Sequence, residues 1–199
     1  MRVKSQWFKA GATKSATEIA GAAAFIIFRI AQNALKNMRN ARFELPAGPG
    51  YFAFLAEFLV FLTLCADRIA HRRGDAAWRT EFTTALANRV GAFLADNEAD
   101  LLGVDTAEEI KRRYVALVNR RSDDYSDCGW SDEGPDYSFF RCLGHRVAEV
   151  MERHEQTWAV SQVIDTEAPD AAATLQGAMA GLLDEAPRRA RGRSPARGE

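Results

Sequence analysis

The stretch 51–64 reads YFAFLAEFLVFLTL, and past the Tyr51 hydroxyl only Glu57 and Thr63 carry polar side-chain atoms. No alternation of apolar and polar residues runs through it, so a half-buried strand is excluded. It predicts a helix that is apolar on almost every side. Such a helix has to be enclosed by others, which makes it the expected hub of the core.

A membrane would be one way to enclose it. The apolar run reaches only from 51 to 66, about 16 residues, and Glu57 interrupts it. A span needs about 20 apolar residues. The run 19–28 is shorter still, and the basic stretch before it lacks the layout of a signal peptide. The first 17 residues are basic and acid-free, a faint transit-peptide composition. No membrane span is expected, and enclosure should come from the chain's own helices in a soluble domain.

Those helices can be read from spacing. Ser15 and Glu18 form a capping box, and Ile19, Ala23, Ile26, Ile30, Ala34 and Met38 then follow on one face. The alanines on its flanks allow close helix approach. Pro46 ends this first helix, and the second is expected over 49–73, stopped by Gly74. Asp75 caps a third, with Trp78, Phe82, Leu86, Val90, Phe93 and Leu94 inward, fraying over 96–100 and closing at Gly103. Asp105 and Glu108 read as the box opening a fourth, with Ile110, Tyr114, Leu117 and Val118 inward. An acidic loop is expected over 123–135. A fifth helix should run from 135 or 136 to 166, carrying His154 and Trp158. Pro169 then breaks the chain before a sixth over 170–184.

The expectation is therefore all-α: a single compact bundle of five to six helices with a buried central second helix. A basic aromatic arm over 1–14 precedes the helical domain at 15–185, and a disordered Arg-rich tail follows over 186–199. At 199 residues and 47% hydrophobic, the chain has enough apolar surface for a core without metal or disulfide staples.

The formal net charge is −1, which points to neither nucleic acid nor an acidic substrate. The distribution is uneven. Residues 1–42 carry eight Lys or Arg against the single acid Glu18, and five Arg follow Pro187. Weak nucleic-acid binding through these basic ends is one expectation. The three cysteines, Cys65, Cys128 and Cys142, form no CxxC pattern and are odd in number. That favours free thiols in a reducing compartment, hence a cytoplasmic setting.

Four residues pair at helical spacing. Asp67 and His71 are i, i+4 on the second helix, and His145 and Glu149 are i, i+4 on the fifth. If the two helices face each other, two nitrogens and two carboxylates form a metal-ligand set. Against it, the Glu-x-x-His pair of di-iron bundles and any HExxH are absent. No cofactor is predicted from this pattern alone. Cys142, close to Arg141, His145 and Arg146, has the more activating surroundings of the thiols. The acidic stretch from Asp123 misses calcium-loop register at its third, sixth and twelfth positions.

Glu57 is the sharpest oddity, because a carboxylate buried among apolar side chains requires a partner. Arg29, itself set in an apolar run, is the expected one. If Glu57 lined a pocket beside a histidine, an enzyme would be favoured; if it met only an arginine in a dry core, it would not. Ala173, Gly177 and Gly181 form a small-residue face suited to a close helix crossing or to a partner helix. Together these features lead to a non-catalytic helical interaction or assembly protein, and a homodimer is plausible on the same grounds. A metal-binding bundle using Asp67, His71, His145 and Glu149 is the alternative.

Overall fold

The computed structural model describes residues 14–41, 48–72, 74–103, 105–151 and 156–183. The arm up to residue 13, His154 and the Arg-rich tail lie outside the described residues. Helices α1 (Ala16–Asn40), α2 (Pro49–His71), α3 (Ala76–Leu102), α4 (Ala107–Ser126), α5 (Tyr137–Val150), α6 (Gln156–Gln162) and α7 (Ala168–Leu183) account for nearly all of them. The last two are joined by a π turn, Val163–Glu167, into one rod, so six helical rods form an all-α bundle.

α2 is the hub. Every residue from Phe58 to Ala66 is buried, and α1, α3, α4, α5 and α7 all pack on it. Phe61 lies within aromatic contact distance of Phe58, Tyr125, Phe139 and Phe140, at centroid separations of 5.9, 6.5, 5.8 and 6.3 Å. By length and mean hydropathy (1.3 and 1.7), α1 and α2 are both long and apolar enough to cross a membrane. In this fold 72% of the α2 window is packed inside the protein, and 50% of the α1 window. The expectation of no such helix rested on 16 residues; the helix proper is 23 residues long.

Local signals explain most helix ends. Ser15 and Glu18 form the expected box, Asp75 accepts from the Trp78 amide, and Gly103 closes α3 in the left-handed region at φ 63°. α1 buries Ala16, Ala20, Ala23, Ala24, Ala31 and Ala34, and these small side chains let it lie close against α3 and α7.

Three expectations need correction. The fourth helix is capped by Thr106 and Glu109, one residue later than the Asp105–Glu108 reading. Asp105 instead bonds Arg113 at 2.7 Å. The acidic loop begins later than expected: α4 runs on through Ser126, and the connection over 127–136, which holds a two-residue pairing of β1 (Trp130–Ser131) with β2 (Gly134–Pro135), leads to α5. Tyr125 is buried against Phe61 and Phe139, and that packing overrides the poor helix propensity of Asp123 and Asp124.

The third concerns Pro169. α5 ends earlier than expected, at Val150, and the chain turns extended at Met151. The rod that follows passes through Pro169 without breaking. The Ala168 amide reaches back five residues to the Val163 carbonyl, widening one turn just where proline has no N–H to give. α5 meets this rod closely: a Cβ at Gly144 would lie 2.6 Å from the Ile164 side chain.

Candidate functional site

Three places hold the chemistry that the sequence singled out. The first is an ion network between α2, α4 and α5, buried at Glu57 and open to solvent at Glu149. Glu57 is 5% exposed. Its partner is Arg121, not Arg29: Nη2 donates to Oε1 at 2.6 Å and Nε to Oε2 at 3.0 Å. This is the bidentate fork that holds a desolvated carboxylate best. Arg121 also donates to Asp124 at 3.2 Å and lies 3.7 Å from Glu149. Arg146 closes the circuit, at 2.9 Å from Asp124 and 2.7 Å from Glu149. Three carboxylates thus enclose two guanidiniums. The bonds it donates to Glu57 hold Arg121 firmly in its charged form.

The cysteines adjoin this network. Cys128 and Cys142 both direct their thiols at the Asp124 carbonyl, at 3.8 and 4.0 Å. Burial, then the neighbouring Cys128, pushes the Cys142 thiol up to about 11, and Arg146 does not offset them. The activating surroundings read from sequence therefore do not produce a reactive thiolate. Burial also raises the Cys65 thiol.

The second place is a cleft of about 440 Å³ where α2 ends and α3 begins, lined by Asp67, His71, Gly74, Arg79, Thr80, Thr83 and Thr84 among others. Arg79 grips Asp67 with two bonds of 3.0 and 2.6 Å, Thr83 donates to the same carboxylate at 2.5 Å, and His71 Nδ1 lies 3.3 Å from Arg79. His145 is exposed on α5, and Glu149 belongs to the ion network. Asp67, His71, His145 and Glu149 therefore do not converge. Among the described residues no three His, Cys, Asp or Glu side chains are arranged to hold a metal ion.

Burial raises the Asp67 carboxyl, but the Arg79 and Thr83 hydrogen bonds together outweigh it and the net shift is downward. A depressed folded value contributes stability that is complete above the unfolded carboxylate value of roughly 3.9. It is lost as pH falls through the lower folded value. Asp67→Asn is expected to flatten the stability profile below about pH 5, measured by urea unfolding at each pH. Parallel profiles for the two proteins would contradict the pairing.

The third place was not foreseen as a site. A groove of about 660 Å³ runs between α1 and α7, lined by Phe25, Arg29, Asn33 and Asn37 on one wall and Glu167, Asp170 and Thr174 on the other. Arg29, expected inside, is exposed here. Glu167 is buried at the groove's end, accepting from Asn37 at 3.1 Å and Gln162 at 3.0 Å. Phe25 is 58% exposed. The sequence signal was available: Phe25, Arg29, Asn33 and Asn37 are spaced i, i+4, i+8, i+12, opposite the alanine face.

The fold and these sites define an all-α bundle whose buried carboxylates, Glu57, Glu98 and Glu167, all accept hydrogen bonds. Compared with known proteins, the chain matches no family model, no curated protein and no solved structure.

Proposed function

We propose that this protein works by binding other proteins along its helix faces, as an interaction or assembly factor rather than a catalyst. The groove between α1 and α7 carries this reading. The other two clusters are occupied by their own pairs: Glu57 meets an arginine in the core, and Asp67 in its cleft is held by Arg79 and Thr83. The groove differs. Phe25 is more than half exposed, its ring edge-on to Phe93 of α3 at 6.4 Å, and no ion pair is formed by Arg29 or Asp170 among the described residues. An exposed aromatic set in a polar rim is the composition of a protein interface.

A photo-reactive phenylalanine analogue at position 25 tests this. Discrete cross-linked adducts are expected from position 25 and not from a control position on the far surface, such as Arg112. A position-25 sample as adduct-free as the control would remove the groove from the account.

A further inference from the structure

We propose that the occupant of the α1–α7 groove is a second copy of this chain, in a two-fold dimer that lays each α1 on the partner's α7. This rests on the interaction reading above and makes it specific.

The two walls are self-complementary. On α1, Phe25 and Arg29 are one helical turn apart and both point into the groove. On α7, Asp170, Ala173 and Gly177 succeed each other along the exposed side at steps of three and four. Asn37 bonds Glu167 at one end of the groove, so Phe25, further back along α1, lies toward Ala173 and Gly177 at the other. A two-fold axis running along the groove exchanges the walls. Each Phe25 then falls on the partner's Ala173–Gly177 surface, and each Arg29 falls near the partner's Asp170.

The fit has two parts. The first is volume. A Cβ built on Gly177 meets nothing within 4 Å, so among the described residues no neighbour packs on Gly177. It is an open, exposed surface with room to receive an aromatic ring. The second is charge. Arg29 and Asp170 line opposite walls of one groove yet do not pair there, so each remains available to the partner. Two copies supply two such pairs by symmetry, the self-matching patch that an isologous interface needs.

Sedimentation velocity on the full chain, from about 1 to about 100 µM, the range of ordinary transient complexes, tests the proposal. The mass is expected to rise from 22.0 kDa toward twice that with concentration. Arg29→Glu should weaken association about tenfold or more, and Arg29→Glu with Asp170→Arg should restore it. Gly177→Leu, which has open space for its side chain, should abolish it while circular dichroism stays helical. A chain monomeric throughout, or a dimer indifferent to both Arg29→Glu and Gly177→Leu, overturns the dimer. In the monomeric case, position-25 cross-links to a different protein that Gly177→Leu removes would leave the interaction reading standing. The absence of any such cross-link would end both.

Discussion

Replacing Arg121 with methionine while Glu57 remains is expected to cost about 3–5 kcal/mol of folding stability. Glu57 has 7% and Arg121 16% of its side chain accessible, so the carboxylate left behind cannot recover its hydration. Its fork from Arg121 is its closest pairing, and the nearest other cation of the network, Arg146, is already engaged by Asp124 and Glu149. Removing both members, as in Glu57→Leu with Arg121→Met, should recover most of the loss, because a buried ion pair contributes little beyond an apolar pair of the same shape. Urea unfolding reads this as a shift of midpoint at constant slope. A single-variant cost below about 1 kcal/mol, the level of a surface pair, would mean that Glu57 is hydrated after all.

Phe61→Ala should cost a similar amount, about 3–5 kcal/mol. The ring is fully buried on α2 and is touched by aromatic side chains from α4 and α5. α2 is hemmed in by five other helices, so the site has little freedom to collapse around the lost volume. Phe25→Ala is the matched control, since Phe25 is 58% exposed. Measured at dilution, it should cost at most about 1.5 kcal/mol, the worth of its edge contact with Phe93. Thermal unfolding of the three proteins checks the ordering. Equal losses at positions 25 and 61 would contradict the assignment of inside and outside.

How much of this was legible in the sequence depends on the range of the interactions concerned. The hub helix, the Ser15 box, the Asp75 cap and the Gly103 stop are local and follow from a few adjacent residues. The fourth helix start was read one residue early because VDTAEE offers two overlapping boxes. The choice between them is tertiary: Asp105 and Glu98 both bond Arg113, which leaves Thr106 as the cap.

The partner of Glu57 was misread for a related reason. Arg29 stood out because it interrupts an apolar run, but its position on α1 points away from the alanine face. Arg121 lies on the line Tyr114, Val118, Arg121 and Tyr125, spaced at three and four, and the other three are buried. Extending the α4 period past Val118 would have placed Arg121 inward. The four proposed metal ligands show the opposite limit. Spacing put each pair on one helix face, but which helices face each other is decided by packing across the whole chain.

Pro169 was read as a break because proline cannot continue an ordinary α-helical ladder. The widened turn at Val163–Glu167 removes that conflict, and no short-range pattern announces it. The consequence is functional in this account, since it keeps α6 and α7 on one rod and sets Glu167 and Asp170 along the groove.

Native-state hydrogen exchange followed along the whole chain puts the largest part of this picture at risk. Backbone amides of residues 52–66 should open last, only with global unfolding, at every protein concentration. Those of 25–37 and 170–177 should slow further as concentration rises. Rapid native exchange within 52–66 would mean that the oily helix is not the enclosed centre, and the surfaces assigned around it would fall with it.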